Sequence, residues 1–392
     1  MIIKNIKVFQ DNGIFDNGMI KTEGECFSEV LICSSEGENI QQRVLSSETE
    51  KRDRILDGQG FYAIPGLIDI HFHGCMGEDF CNGTEEAIET IAAYELTQGV
   101  TTICPATMTV SEAQLMQVMK AARMHENNKG AELVGINMEG PFISYEKKGA
   151  QNPDYIIPCD AELFRRLNQE SGGMVKLVDI APEKTGAMEF IRTCHGETNI
   201  SLAHTMADYD TAKKAYEAGA NHATHLYNAM PAFTHRSPGV VGAAADCEHV
   251  YVELICDGIH IHPAMVRSTI KLFGKDRVVL ISDSMEAAGM PDGVYQLGGQ
   301  KVYKTGRMAQ LADGTIAGSA SSLYDCLRTV VDQMKIPLET AVRCATINPA
   351  RSIGIDDRYG SITPGKYANL VLLDDKLDIR GILLKGSVVL WN

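Results

Sequence analysis

The chain has 392 residues and a formal net charge of −15, with 44% hydrophobic and 22% charged residues. This composition excludes disordered and collagen-like chains, and the acidic balance argues against nucleic acid or an anionic membrane as a partner. No apolar run approaches the roughly 18 residues that a membrane span needs, and the eleven scattered cysteines are typical of reduced thiols, so we expect a cytoplasmic protein.

The two ends of the chain contain short strand patterns and few helical ones. Residues 1–60 include the strand patterns Ile2–Phe9 and Val30–Cys33, and residues 356–392 include Ala368–Leu373 and Ile382–Leu390. Alternating apolar residues are typical of strands with one buried face. We therefore predict that residues 1–60 and 356–392 together form one small β-sandwich domain.

Between these ends, residues 61–355 alternate β-branched apolar runs with amphipathic segments. Buried parallel strands are predicted at Ile64–Ile70, Val100–Cys104, Leu133–Met138, Val175–Ile180, Ile200–Ala203, Ala223–Leu226, Val250–Cys256 and Val278–Ser282. Intervening helices are predicted at, for example, Thr84–Thr97, Ser111–Glu126, Asp208–Ala218 and Pro263–Phe273. Eight such units are typical of a (β/α)₈ barrel of the TIM type. A Gly-rich segment at residues 292–318 indicates a hairpin insertion before the last barrel helix.

Polar side chains follow the predicted strands at the ends where a barrel of this kind forms its active site. His71 and His73 are two residues apart, so an extended strand places both on one face. The complete set at the strand ends is His71, His73, Glu139, His204, His225 and Asp283. Imidazole and carboxylate groups in this combination suit one or two divalent metals, such as zinc or iron.

A structural interpretation competes with this one for each residue taken alone. A single histidine at a strand end is more often hydrogen-bonded within the fold than bound to a metal, and for His71 or His204 alone that interpretation is favoured. It does not account for the whole set. His222 lies three residues before His225, on the opposite face of the strand, and is assigned to structure. Asp69 either orients a ligand or has a structural role, and the sequence leaves both open.

Two stretches of the sequence resemble the amidohydrolase superfamily. Pro65-Gly66-Leu67-Ile68-Asp69-Ile70-His71-Phe72-His73-Gly74 is similar to the metal-binding first strand of that superfamily. Asn348-Pro349-Ala350-Arg351 and the later segment at residues 360–370 are similar to its closing stretch. The resemblance implies a metal-dependent hydrolase barrel.

Three further motifs resemble one branch of the superfamily, which deacetylates amino-sugar phosphates. They are Met138-Glu139-Gly140-Pro141-Phe142 with Lys148-Gly149-Ala150 after it, His225-Leu226-Tyr227-Asn228-Ala229-Met230-Pro231, and Asp257-Gly258-Ile259-His260. The resemblance covers nearly the whole chain. It implies hydrolysis of the acetamide of N-acetylglucosamine 6-phosphate to glucosamine 6-phosphate and acetate, in amino-sugar catabolism and recycling.

The same resemblance implies roles for the residues at the strand ends. Glu139, His204 and His225 would hold the metal that is common to the family. His71 and His73 would hold a second metal, which some members lack, so one or two ions per chain are expected. Asp283 would be the general acid and base.

Residues for the sugar phosphate are also implied by the resemblance. Arg236 and His260 match the phosphate-binding pair, one of which reaches across a dimer interface in relatives, so we expect a homodimer with shared sites. The remaining substrate-binding positions are Ala150, Gln151, Asn228, Ala229, Ile316, Ala317 and Gly318. Several members have histidine at position 151. A glutamine there can donate a hydrogen bond but cannot carry charge, which leaves its role toward the substrate carbonyl open.

Two other functions compete with the deacetylase. A dihydroorotase-like or isoaspartyl-dipeptidase-like enzyme would act on a cyclic amide or a dipeptide, and neither substrate would require Arg236 and His260 together. A non-catalytic scaffold of the same fold would be expected to have lost Asp283 or a histidine ligand, and none is missing from this sequence.

Overall fold

The computed structural model describes residues 1–32 and 54–392, which fall into two compact units. One unit comprises Met1–Leu67 and Pro337–Asn392, and the other comprises Ile68–Ile336. The predicted strand Val30–Cys33 can be followed only to Ile32, because Cys33 lies outside the described residues. Among the described residues, no helix has the length and apolar character that crossing a bilayer requires.

Strands and helices alternate through most of the chain. In chain order, the strands of the described residues are β1 (Ile2–Phe9), β2 (Phe15–Glu23), β3 (Cys26–Ile32), β4 (Ile55–Pro65), β5 (Leu67–Asp69), β6 (Gly74–Cys75), β7 (Glu78–Asp79), β8 (Val100–Ile103), β9 (Glu132–Leu133), β10 (Ile136–Glu139), β11 (Val175–Ile180), β12 (Asn199–Leu202), β13 (His222–Ala223), β14 (Tyr251–Ile255), β15 (Val278–Ile281), β16 (Gly293–Leu297), β17 (Gln300–Thr305), β18 (Met308–Gln310), β19 (Leu370–Leu373), β20 (Ile379–Leu384) and β21 (Ser387–Trp391). The α-helices of the same residues are α1 (Glu85–Thr97), α2 (Glu112–Met124), α3 (Ala161–Glu170), α4 (Ala187–Cys194), α5 (Tyr209–Glu217), α6 (Gly239–Ala245), α7 (Pro263–Phe273), α8 (Leu323–Asp332), α9 (Leu338–Ala345) and α10 (Ile347–Ser352).

Strands from both ends of the chain form one seven-stranded sheet. Its strand order is β21-β20-β19-β4-β1-β2-β3, and β1 pairs with β4 in parallel and with β2 in antiparallel orientation. Apolar side chains of these strands, among them Ile6, Ile20 and Leu372, are buried in a common core. The period-two pattern of the sequence predicts this one-sided burial.

The other unit is built around parallel strands. β10 to β15 form a six-stranded sheet in chain order, and each neighbouring pair is parallel. β5, β8 and β9 form a second sheet. The Thr107 N–H donates to the carbonyl of Asn137 at 2.9 Å, which places the segment after β8 next to β10. The Asp283 N–H donates to the carbonyl of His71 at 2.9 Å. The segment after β5 therefore lies next to the segment after β15.

The predicted helices agree closely with the observed ones. α7 spans Pro263–Phe273, as predicted. Three helices begin one residue later than predicted because Thr84, Ser111 and Asp208 are their N-caps. The side-chain oxygen of each cap accepts a hydrogen bond from a main-chain N–H of the first turn, which is why these residue types mark helix starts.

Three predicted strands are each divided in two. Ile64–Ile70 divides into β4 and β5, Leu133–Met138 into β9 and β10, and Ile382–Leu390 into β20 and β21. In the last case Lys385 (φ 44°) and Gly386 (φ 71°) both have left-handed backbone. Two successive residues of this kind make a tight hairpin turn, so the apolar run is interrupted although its composition favours a strand.

Two further predictions are corrected by the structure. The strand predicted at Ala223–Leu226 ends early, since β13 contains only His222 and Ala223 and the backbone of His225 turns to φ 28°. The insertion at residues 292–318 contains three antiparallel strands, β16 to β18, rather than one hairpin.

Candidate metal centre and substrate cavity

The six predicted side chains at the strand ends come together in the structure. They are His71 and His73 after β5, Glu139 at the end of β10, and His204, His225 and Asp283 after β12, β13 and β15. Each is at most 8% exposed. The last three have left-handed φ values, of 44°, 28° and 49°. The chain therefore turns sharply directly after each of those three strands.

Glu139 lies between two groups of histidines. Its Oε1 is 3.0 Å from His204 Nε2 and 3.1 Å from His225 Nε2. Its Oε2 is 3.3 Å from His73 Nε2, and its Oε1 is 3.5 Å from His71 Nε2. In each group, the ligand atoms lie within 4.8 Å of one another. One carboxylate is thus shared by two potential metal positions.

The hydrogen-bond roles around His204 indicate that this group suits a metal ion. His204 Nδ1 is 2.7 Å from the main-chain oxygen of Lys147, which can only accept, so Nδ1 carries the hydrogen and Nε2 presents a lone pair. That lone pair faces the Glu139 carboxylate at 3.0 Å and His225 Nε2 at 3.1 Å. A metal ion between these atoms would satisfy the lone pair and the carboxylate together, and imidazole with carboxylate is a donor set that zinc and iron favour.

The other group has the same character. His71 Nδ1 is 3.0 Å from Glu253 Oε2, so its Nε2 is the atom that faces Glu139. This Nε2 is buried and has no hydrogen-bond partner among the described residues. Leaving a buried polar atom unpaired is costly, and a metal ion would satisfy it. The residues of this group therefore also fit an ion.

Asp283 lies against the same histidines. Its Oδ1 is 3.4 Å from His73 Nε2 and 3.8 Å from His71 Nε2. Burial opposes the ionisation of Asp283, but the adjacent rings of His73 and His71 hold its pKa below the usual value. Burial likewise opposes ionisation of Glu139, and His204 holds its pKa well below the usual value. Both carboxylates are therefore ionised at neutral pH, and Asp283 is able to accept a proton.

Gln151 contacts the shared carboxylate. Its Oε1 accepts a hydrogen bond from the main-chain N–H of Thr109 at 2.6 Å, which fixes the orientation of the amide. Its Nε2 donates to Glu139 Oε2 at 2.5 Å. Gln151 thus places a neutral donor beside Glu139.

A cavity of about 300 Å³ opens onto these groups. It is lined by twelve of the predicted site residues, namely His73, Glu139, Ala150, Gln151, His204, His225, Asn228, Ala229, His260, Asp283, Ile316 and Gly318. The other three, His71, Ala317 and Arg236, do not line it. His71 and Ala317 are buried, whereas Arg236 is exposed.

His260 is one of the two predicted phosphate ligands, and it lines the cavity. The buried Asp257 holds it: Oδ2 is 2.8 Å from His260 Nδ1, and Oδ1 accepts from the His260 main-chain N–H at 3.0 Å. Burial lowers the pKa of His260, but the hydrogen bond and charge of Asp257 outweigh that effect and raise it above the usual value. The cationic form, which attracts a phosphate, is favoured.

Arg236, the second predicted phosphate ligand, does not line the cavity. It is in an exposed segment, residues 232–237, between β13 and α6. It has no hydrogen-bond or ion-pair partner within residues 1–32 and 54–392. Of the two predicted phosphate ligands, His260 therefore lines the cavity and Arg236 does not, and a contribution of Arg236 across a dimer interface stays a prediction.

Two supporting residues were not singled out in the sequence, Lys147 and Glu253. The contact of Lys147 with His204 uses a main-chain oxygen, which leaves no signal in the side-chain pattern. Glu253 does leave one. It is an acid inside the apolar strand β14, and a buried acid of this kind is rare unless it is paired.

Asp69 and His222 have supporting positions as well. Asp69 Oδ1 accepts from the His71 main-chain N–H at 3.2 Å, and its Oδ2 accepts from the Ser282 hydroxyl at 2.5 Å. Asp69 therefore holds the segment that carries His71. His222 is buried, its Nδ1 is 3.5 Å from Glu253 Oε1, and it does not line the cavity.

Comparison with known proteins gives consistent matches. Residues 62–389 match the amidohydrolase family. The chain is 35% identical to the N-acetylglucosamine-6-phosphate deacetylase of Bacillus subtilis, over 99% of this chain and 96% of the relative. It is 34% identical to the N-acetylgalactosamine-6-phosphate deacetylase of Escherichia coli O157:H7, over 83% of this chain and 86% of the relative.

A solved structure is similar over the whole chain. It is a variant of N-acetyl-D-glucosamine-6-phosphate deacetylase from Mycobacterium smegmatis in complex with N-acetyl-D-glucosamine-6-phosphate, with a TM-score of 0.89 and 30% identity. The similarity covers 100% of this chain and 99% of that one.

Proposed function

Since this chain belongs to the amidohydrolase family, we propose that it hydrolyses the acetamide of N-acetylglucosamine 6-phosphate to glucosamine 6-phosphate and acetate. The observation that carries the proposal is Glu139, shared by two histidine pairs beside Asp283 on a cavity that His260 also lines. Relatives named for this activity match the chain along nearly its whole length.

The metal would be held by residues of this chain in two groups. Glu139, His204 and His225 would hold one ion, and His71 and His73 would hold a second ion with Glu139. We propose zinc or iron, because the ligands are imidazole nitrogens and carboxylate oxygens. When bound, such a metal supplies Lewis-acid polarisation of the carbonyl and a nucleophile that is active at neutral pH.

Asp283 would move the proton that the reaction requires. Its carboxylate accepts a proton from the attacking water as the new C–O bond forms at the acetamide carbonyl. The same group then donates that proton to the nitrogen as the C–N bond breaks, so that the free amine and acetic acid form, and the acid passes its remaining proton to the amine or to water to give acetate. The ionised state of Asp283, kept by the neighbouring histidines, suits the first of these two steps.

The phosphate would be bound by His260 together with Arg236 of a second copy of the chain. The Arg236 segment carries an exposed Phe233, at 44%, and the neighbouring loop carries an exposed Met206, at 47%. The Thr205 N–H donates to the Ala229 carbonyl at 3.1 Å, so these two loops are tied together. Apolar side chains exposed beside an unpartnered arginine support a homodimer contact through these two loops.

The proposal also covers the closure of the barrel, the domain formed by the two chain ends and the location of the protein. We propose that the eight parallel strands close as a (β/α)₈ barrel spanning residues 61–355, supported by the hydrogen bond between the Asp283 N–H and the His71 carbonyl. Residues 1–60 and 356–392 would form the small β-sandwich. A cytoplasmic location is supported by the cysteines of the described residues, no two of which form a disulfide.

The experiment that tests the function is acetate release from three substrates. N-acetylglucosamine 6-phosphate should be hydrolysed much faster than unphosphorylated N-acetylglucosamine. N-acetylgalactosamine 6-phosphate is the second candidate substrate, because a relative at 34% identity is named for it, and its rate decides between the two epimers. Hydrolysis of dihydroorotate or an isoaspartyl dipeptide, with no release of acetate from either sugar phosphate, would contradict the proposal.

A further inference from the structure

Glu253 is a fully buried carboxylate in the middle of β14. The strand spans Tyr251–Ile255, and Glu253 is 0% exposed. Burying a carboxylate is costly unless it is paired and hydrogen-bonded. Its position in an otherwise apolar strand therefore requires specific partners.

Glu253 Oε1 lies 3.5 Å from Nδ1 of the buried His222, and the other oxygen, Oε2, contacts residues of the candidate metal centre. Oε2 is 3.0 Å from His71 Nδ1 and accepts from the main-chain N–H of His225 at 3.1 Å. His71 belongs to one histidine group and His225 to the other. A single oxygen atom, on a residue that does not line the cavity, therefore contacts both groups.

The contact with His71 fixes which ring nitrogen is free to bind a metal. A carboxylate can only accept, so Nδ1 carries a hydrogen, and in the neutral ring that binds a metal Nε2 then presents its lone pair toward Glu139. Asn137 Nδ2 also lies 3.3 Å from Nδ1, but it has the carbonyl of Ile70 as an acceptor at 3.3 Å. Without Glu253, the ring of His71 would lose the acceptor that selects this tautomer.

We propose that Glu253 is a positioning residue that holds His71 in its metal-binding orientation and so determines whether the His71–His73 position is filled. This inference rests on the metal centre of the proposed function. Its effect is selective because the ring of His204 is held by Lys147 instead, and the hydrogen bond between Glu253 and His225 uses the main-chain N–H of His225 and not its ring. The ion at Glu139, His204 and His225 should therefore remain when Glu253 is lost.

Metal titration of the purified full-length protein tests this proposal without using activity. The unsubstituted protein, Glu253→Leu and Glu253→Gln are each prepared metal-free and titrated with zinc. A chromophoric chelator competes for the zinc and reports how tightly each equivalent is bound. The unsubstituted protein should bind two equivalents. Glu253→Leu should weaken one of the two equivalents by roughly 10–100-fold, as loss of a partner of a metal-bound histidine typically does. Glu253→Gln keeps an acceptor oxygen, so it should weaken the same equivalent by less, up to about tenfold.

Glu95→Leu is the matched control. Glu95 lies in α1, is 0% exposed, and its two carboxylate oxygens have no hydrogen-bond partner among the described residues. It is therefore a second buried glutamate replaced in the same way, without a contact to the metal centre. The Glu95→Leu protein should bind two equivalents of zinc with unchanged affinity. Circular dichroism of the metal-free proteins verifies folding, and if Glu253→Leu does not fold, Glu253→Gln decides.

Each outcome supports or overturns the inference. The inference is supported if zinc binding at one equivalent alone is weakened, less in Glu253→Gln than in Glu253→Leu, and is unchanged in Glu95→Leu. Two equivalents of unchanged affinity in the folded Glu253 variants overturn it and leave the proposed function intact. Equal weakening of both equivalents shows a general structural role and also overturns it. An unsubstituted protein that binds one ion removes the second position and overturns the inference, whereas one that binds none contradicts the proposed metal centre itself.

Discussion

Replacing Arg236 with alanine separates substrate binding from folding. The side chain is exposed and has no hydrogen-bond or ion-pair partner within the part of the chain that the structure describes. The free energy of unfolding of Arg236→Ala should therefore stay within about 0.5 kcal/mol of the unsubstituted value, as for most surface substitutions. Thermal unfolding of the two proteins, measured with the same metal content, checks this part of the prediction.

The effect on catalysis should be much larger. A hydrogen bond to a charged group contributes about 1.5–3 kcal/mol. Since about 1.4 kcal/mol corresponds to a factor of ten, kcat/KM for N-acetylglucosamine 6-phosphate should fall roughly ten- to a hundredfold or more. The value for unphosphorylated N-acetylglucosamine should hardly change. His260 lines the cavity, and His260→Gln should likewise lower kcat/KM for the phosphorylated sugar and hardly change it for the unphosphorylated one.

A mixing experiment determines which chain supplies the arginine. Arg236→Ala chains keep Asp283, and Asp283→Asn chains keep Arg236. In a two-fold symmetric dimer whose arginines act across the interface, every mixed dimer contains one site with both residues. A fully exchanged equal mixture therefore has about a quarter of its sites intact, and it should regain about a quarter of the unsubstituted activity.

Two results would refute this reasoning. A mixture whose activity equals the average of the two variants means that Arg236 does not act across an interface. Equal losses of kcat/KM on the phosphorylated and the unphosphorylated sugar mean that Arg236 serves folding or assembly, and the substrate would then have to be sought elsewhere in the amidohydrolase family.

Three further predictions concern the metal centre and the phosphate site. Asp283→Asn should keep its metal content and lose roughly 10²–10⁴-fold in kcat, the usual effect of removing a general acid and base; near-normal turnover in steady-state assays would contradict its role. The double variant His71→Ala, His73→Ala should lose one metal equivalent in elemental analysis and keep the other, and an unchanged count would show that this pair holds no metal. For the phosphorylated sugar, the unsubstituted protein should have a lower KM than His260→Gln, and this difference in KM should be fully present below the usual histidine pKa of about 6.5. It should vanish as pH rises through the raised pKa of His260, and a KM ratio independent of pH would contradict a charged histidine.

Much of the fold follows from local sequence patterns. The strand Val175–Ile180 and the helix Pro263–Phe273 have the predicted bounds, because periodicity and helix-start residues act over short distances. Strand ends were less predictable. The strand before His225 is short because the backbone turns left-handed there, and an apolar run gives no sign of such a turn.

The candidate site shows the same division between local and long-range information. Spacing along the chain indicated the six residues of the metal centre, since parallel strands present their ends at one edge. The link from Glu253 to His71 joins residues 182 positions apart, and no spacing rule relates them. The position of Arg236 depends on a second chain in our proposal, which a single sequence does not describe.

The left-handed backbone of His204, His225 and Asp283 has a consequence for protein engineering. For residues other than glycine, this conformation costs roughly 1–2 kcal/mol each. Glycine at any of the three positions would relieve that cost while removing a metal ligand or the proton acceptor. Any gain in thermal resistance by glycine at these positions would therefore come with loss of activity, so a screen for heat-resistant variants has to measure turnover as well.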